Sequence, residues 1–259
     1  MTTTTPQTSE IVTGLSDFDA LAGPIPRGHV TVAAGRTSAG TTAFVLSVAR
    51  HNAEVGRHVA IASFESGTDT LMSNLIAATT SVNMDRPPSI NKGRRARIER
   101  ARATMEQSCL SIWSTALKAD RWPFEELSKE LAVRPGLDLL VMDGYGLASY
   151  EEPSAGATFA TLQRLARERN IAVLVTAYLE TREDTPETDL PVLSDLGLLD
   201  GAAAAAETVV LLHRPDRTGT VPQRRGEVDL IAARGWDATG SAAARFEPEY
   251  HRFVDLPNI

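Results

Sequence analysis

The chain has 259 residues, a formal net charge of −7 and a single cysteine, Cys109. That length suits one large α/β domain or two small ones, and one cysteine excludes an internal disulfide. The acidic balance argues against a generally sticky nucleic-acid binder, and no run approaches the ~18–20 apolar residues of a membrane span.

In chain order, residues 1–12 read as a disordered tail with neither the basic nor the apolar region of a secretory signal, so a cytoplasmic location is expected. Ser16 with Asp19 resembles a helix N-cap with an acidic first turn. Gly23, Pro24, Pro26 and Gly28 force a turn before a strand-like run, His29 to Ala34. Then comes Gly35-Arg36-Thr37-Ser38-Ala39-Gly40-Thr41-Thr42, followed by a helical pattern from Ala43 to Val55. Strand, Gly-rich turn and helix is the setting of a phosphate-binding loop, GxxxxGK[ST]. The glycines let backbone N–H groups point inward, and the helix N-terminus behind them adds partial positive charge. The Thr42 hydroxyl stands where it would reach Mg²⁺. Thr41 occupies the lysine position. It is neutral and short, and the chain's lysines, Lys92, Lys118 and Lys129, lie far along the sequence. Losing one charge-assisted hydrogen bond costs binding roughly 1.5–3 kcal/mol. The loop is therefore shaped for phosphate but poorly equipped for hydrolysis. The plainer alternative is a Gly/Ser/Thr turn with no ligand.

Further along, His58 to Ser63 reads as a buried strand ending at Phe64-Glu65, and Thr68 to Thr80 as an amphipathic helix. Arg94, Arg95, Arg97, Arg100 and Arg102 cluster on what reads as a solvated helix, since no aromatics interleave as a nucleic-acid surface would require. Leu110 to Trp113 is a short strand, and Pro123 to Leu131 a helix with proline in its first turn. Asp138 to Asp143 is an apolar run ending in a carboxylate, a pattern that suits a parallel strand buried on both faces. Thr158 to Arg169 is helical. Ile171 to Ala177, Thr208 to Leu212, Val228 to Ala232 and Ala242 to Phe246 complete the strands. Alternating strands and helices argue for one doubly wound α/β sheet with right-handed crossovers.

Taken in order, Thr13-Gly14-Leu15-Ser16-Asp17-Phe18-Asp19, Ser194-Asp195-Leu196, Val209 to Arg214, Gly226 to Ile231 and Tyr250 to Asp255 resemble the RecA-like C-terminal ATPase domain of DnaB-type replicative helicases. The resemblance covers about Thr13 to Asp255; a counterpart of that family's N-terminal partner domain and linker helix is not expected. It implies a single domain over residues 13–259, with a P-loop fold, a mostly parallel twisted sheet, helices on both faces and an antiparallel C-terminal extension. It implies cofactor contacts at Gly35, Arg36, Ser38, Gly40, Thr41, Thr42 and Arg214, and a Mg²⁺ side at Thr42 and Asp143. The water-activating carboxylate falls on Glu65. The γ-phosphate-sensing glutamine falls on Tyr178, and the arginine and glutamate after Ser-Asp-Leu on Gly197 and Leu198. The basic pair that reaches a neighbouring subunit's nucleotide falls on Arg234 and on Trp236, where the arginine finger should be. An arginine finger is worth roughly 10³–10⁵ in rate where it operates.

The departures fall on groups that touch phosphate charge. They imply a degenerate paralogue: a homo-oligomer, with a hexameric ring as the family's precedent, that regulates or scaffolds and holds ATP/Mg weakly or not at all. The loop Gly144 to Pro153, a DNA-facing loop in the family, carries no lysine or arginine and two glutamates, which makes nucleic-acid binding doubtful. Two alternatives stay open. One is a working DNA-stimulated ATPase using Arg36 or Arg234 as a substitute cation. The other is a module that binds a protein partner without nucleotide.

Overall fold

The computed structural model describes residues 10–85, 91–114, 134–144, 155–180, 190–199, 206–218, 222–234 and 237–257. A nine-stranded sheet runs in the order β3-β2-β4-β5-β1-β6-β7-β8-β9. Its strands are β1 (Val30–Gly35), β2 (Val59–Ser63), β3 (Leu110–Ser114), β4 (Leu139–Asp143), β5 (Ala172–Tyr178), β6 (Thr208–His213), β7 (Glu227–Arg234), β8 (Asp237–Glu247) and β9 (Arg252–Asp255). The first six pair in parallel and the last three antiparallel.

The unbroken apolar runs have the expected cause. In β4, Leu139 and Val141 join one core while Leu140 and Met142 join the other. Helix α2 (Thr41–Glu54) and helix α3 (Thr68–Thr80) contribute to the first core, and Phe159, Leu162 and Ala166 of the helix Ala155–Arg169 to the second. Helices thus cover both faces, and β1, β2, β4 and β6 are buried along their whole length. The arginine-rich helix α4 (Lys92–Glu106) inserts Ala101 and Met105 and leaves Arg95, Arg97, Arg100 and Arg102 exposed. With α4 so placed, Ala155–Arg169 is α5. The expected helix from Pro123 to Leu131 lies outside the described residues.

Three expectations need correcting. The predicted tail extends too far, because Ile11 is fully buried and bridges to Ile25. An isolated Ile-Val pair is too short for periodicity to reveal it. Ser16 is not the N-cap of helix α1 (Ser16–Ala22); that position is Leu15. The Ser16 hydroxyl instead donates to Asp255 (2.8 Å), whose other oxygen accepts the Ser16 N–H (2.9 Å). Asp19 turns back to accept from the Thr13 N–H (2.8 Å), the Thr13 hydroxyl (2.7 Å) and the Gly14 N–H (2.9 Å). The start of the domain is thereby tied to its end. Gly14 has φ +83°, and a Cβ there would stand 2.6 Å from the His51 ring, so this lead-in needs glycine on both counts. Finally, β8 begins at Asp237 rather than Ala242, and β9 is a strand in its own right. The polar start of β8, with its glycine, and the four-residue β9 are too irregular or short for alternation to show; pairing with β7 and β8 makes them strands.

Candidate functional site

The octapeptide from Gly35 to Thr42 leaves the carboxyl end of β1 and enters α2. β1 lies between β5 and β6, where the chain's crossovers change direction, and that edge is where open α/β sheets bind ligands. The turn is built as expected. Ser38 (φ 64°) and Gly40 (φ 96°) both take the left-handed conformation, and the Ala39 N–H donates to the Arg36 carbonyl at 2.9 Å. The N-cap of α2 is Gly40, which has no side chain, so the first N–H groups of the helix receive nothing from a capping side chain.

The loop rests on an aromatic stack. A Cβ on Gly40 would come within 3.1 Å of the Phe246 ring, which stacks on Phe253 at 4.9 Å; Phe253 in turn meets Phe44 of α2 edge-on at 5.7 Å. Sequence reading missed Phe246, which lies at the far end of the chain and carries no local signal of this contact.

Two carboxylates face the loop's far side. Asp143, fully buried at the end of β4, accepts from the Thr42 hydroxyl (2.8 Å) and the Ser63 hydroxyl (3.0 Å). Burial raises its pKa above the ordinary carboxylate value, the Glu65 charge adds to this, and the hydroxyl hydrogen bonds oppose it. The Thr42 and Asp143 oxygens stand at a separation that fits neighbouring corners of an octahedron with ~2.1 Å bonds. No cluster of three or more His, Cys, Asp or Glu suited to a metal occurs among the described residues. The pair is a set of hard oxygen donors that would suit Mg²⁺ alongside phosphate and water. Glu65 lies just beyond β2. The Tyr178 hydroxyl, from the end of β5, donates to its Oε2 at 2.7 Å. Burial and then this carboxylate raise the phenol's pKa above its ordinary value.

Arg36 and Arg214 lie beside the loop and each has a partner inside the fold; Arg217, exposed, lines the same recess, and Arg234 lies toward the opposite end of the strands. Arg36 lies largely buried, with Nη2 3.7 Å from the buried carboxylate of Asp195. Arg214 grips Asp216 with two nitrogens (3.1 and 2.8 Å), lies 5.3 Å over the Phe246 ring, and reaches the Ser38 carbonyl at 3.5 Å. Arg234 donates to the Ala22 carbonyl at 2.9 Å, capping the end of α1. Asp216, two residues from Arg214, could have been suspected from the sequence; Asp195 could not, at its distance from Arg36. Trp236 and the segment Tyr145 to Pro153 lie outside the described residues. Gly197 and Leu198 fall in the short 3₁₀ helix Leu193–Leu199.

A phosphate loop leaving the central strand of such a sheet, with carboxylates at the ends of neighbouring strands, defines a RecA-like P-loop domain. The sequence profile of the DnaB-like helicase C-terminal domain matches residues 10–255, and the chain belongs to that family. It is 23% identical over 261 residues to the replicative DNA helicase DnaC of Bacillus subtilis (strain 168), covering 95% of this chain and 56% of that one. It is 27% identical over 254 residues to DnaB of Treponema pallidum (strain Nichols), covering 94% and 56%. The chain thus spans just over half the length of these relatives. Among solved structures it resembles a DnaB-like replicative helicase described with its interactions with primase, with a TM-score of 0.81, 21% identity and coverage of 95% of this chain and 63% of that one. It also resembles the ATPase domain of G40P, with a TM-score of 0.78, 22% identity and coverage of 96% and 93%. No helix among the described residues is long and apolar enough to cross a membrane.

Proposed function

We propose that this chain is a degenerate member of its family: a cytoplasmic, oligomeric regulatory or scaffold protein that binds nucleotide weakly and does not hydrolyse it efficiently. The observation that carries this reading is the fate of positive charge around the loop. Thr41 stands where the lysine should be, Arg36 and Arg214 beside the loop lie against Asp195 and Asp216, and Arg234 caps α1 toward the opposite end of the strands. A phosphoryl transfer that loses charge stabilisation at the terminal phosphate loses the main source of its acceleration. The exposed Glu65 carboxylate also accepts a hydrogen bond from Tyr178 on one of its oxygens.

The test is an ATPase assay on the wild type and Thr41→Lys, with and without single-stranded DNA. Turnover near background in the wild type is expected; robust, DNA-stimulated turnover would overturn the reading. Light scattering with and without nucleotide should find more than one subunit. A second reading, a working ATPase with a substitute cation, draws on the retained Thr42–Asp143 pair. It requires nucleotide affinity to collapse in Arg36→Ala or Arg234→Ala, and unchanged affinity in both would remove it.

A further inference from the structure

The bond between Tyr178 and Glu65 crosses the edge of the sheet. Glu65 follows β2 and Tyr178 ends β5, with β4 between them. The tyrosine and glutamate side chains together therefore span two strand spacings, about 9–10 Å, above the end of β4. The backbone at both ends of this span is held, while the two side chains that make it are exposed. Tyr178 pairs in register with Gly35, the first residue of the loop, and the next N–H, of Leu179, donates to the Gly35 carbonyl at 3.1 Å. At the other end, Gly144 packs close under Glu65: a Cβ on that glycine would stand 3.1 Å from the Glu65 Cβ. The Ser63 hydroxyl accepts from the Glu65 N–H at 3.3 Å and from the Ser66 N–H at 2.9 Å, shaping the turn that carries the carboxylate.

The direction of a bound phosphate chain follows from the loop. Backbone N–H groups cradle the inner phosphates, and the Thr42–Asp143 side marks where the metal bridges toward the terminal one. Beyond that point lie Glu65 and the phenol. A terminal phosphate would meet the Tyr178–Glu65 bond and two acidic side chains. Arg36 and Arg214, beside the loop, are held by Asp195 and Asp216. A chain one phosphate shorter ends before the obstruction.

We propose that the Tyr178–Glu65 bridge is a bar across the terminal-phosphate end of the cradle, which makes the loop selective for a nucleoside diphosphate over a triphosphate. The inference rests on the nucleotide-binding reading above. Tyr178 acts here as a specificity-determining residue, and Glu65 as its anchor.

The experiment is calorimetric titration of the full chain with Mg-ADP and with the β,γ-imido analogue of ATP, using wild type, Tyr178→Phe and Tyr178→Gln. The expected result is a diphosphate preference of roughly tenfold in the wild type, about 1.4 kcal/mol. Both variants should reduce it, by tightening the analogue rather than by weakening ADP. Equal affinities in the wild type, or an unchanged ratio in both variants, overturn the proposal while leaving nucleotide binding intact. Binding of neither nucleotide overturns the proposal and the underlying reading together. The bridge has its own readout, free of nucleotide. With the ring Cζ of the chain's 4 tyrosines labelled, Glu65→Gln should move one resonance, and Tyr178→Phe should delete that same resonance. A spectrum in which Glu65→Gln moves nothing also overturns the proposal.

Discussion

The underside and the mouth of the phosphate loop have different construction. Beneath the loop, Gly40 sits on Phe246, Phe246 on Phe253 and Phe253 against Phe44, an apolar stack joining the first crossover helix to the last strands. At the mouth the polar groups face one another. Thr42 is bonded to Asp143, Tyr178 to Glu65 and Arg214 to Asp216. The loop's shape is held by packing, which does not depend on charge at the rim. Affinity for phosphate depends on that charge. One region can therefore change while the other keeps the turn in place.

If the underside holds the loop by packing, its removal should have the largest effect. Phe253→Ala removes a buried ring from the stack and should destabilise the fold by ~3–5 kcal/mol, read by urea unfolding. A loss well below that range would mean the stack is not what supports the loop.

If the mouth lacks only charge, supplying it should act on binding and leave stability nearly untouched. Thr41→Lys should tighten nucleotide by ~1.5–3 kcal/mol, about ten- to a hundredfold, by calorimetry. No gain would show that the cradle itself has lost its shape.

Titration separates the buried groups of the mouth. Burial raises the Asp143 pKa, so its contribution to stability is full below the ordinary carboxylate value and is lost as pH rises through the raised one. Asp216 behaves oppositely. Burial pushes its pKa up, but the Arg214 hydrogen bond and the Gly226 N–H hold it below the ordinary value. Its contribution is present above that range and is lost as pH falls through its lowered pKa. Unfolding curves against pH should show Asp143→Asn removing a decline on the rising side. Asp216→Asn should flatten the acid limb. The reverse pattern would contradict the burial argument.

The smallest effect belongs to Arg234→Ala. It removes an exposed cap from α1 and should lower Tm by no more than a few degrees, with nucleotide affinity unchanged. A clear loss of affinity would move Arg234 from the helix end to the phosphate.

Much of this was legible in the residues. The apolar runs at Val30 to Ala34 and Leu139 to Met142 announced strands buried on both faces, because only such strands forgo alternation. Thr68 to Thr80 was delimited as a helix to the residue. The loop could be located because its glycines and hydroxyls act through adjacent backbone, so its chemistry is local in sequence. The same locality placed Thr41 where a lysine belongs.

Pairings between distant residues could be settled only by the folded chain. Nothing near Arg36 points to Asp195, nothing near Gly40 points to Phe246, and nothing near Tyr178 points to Glu65. Nor could the sequence show that Ser16 reaches Asp255 instead of capping its own helix. Periodicity and turn chemistry are properties of neighbours along the chain, so composition and order fix the elements and the shape of the loop. Which cation meets which carboxylate depends on strand order and register, and these bring the ends of β2, β4, β5 and β1 to one edge only after the sheet has formed.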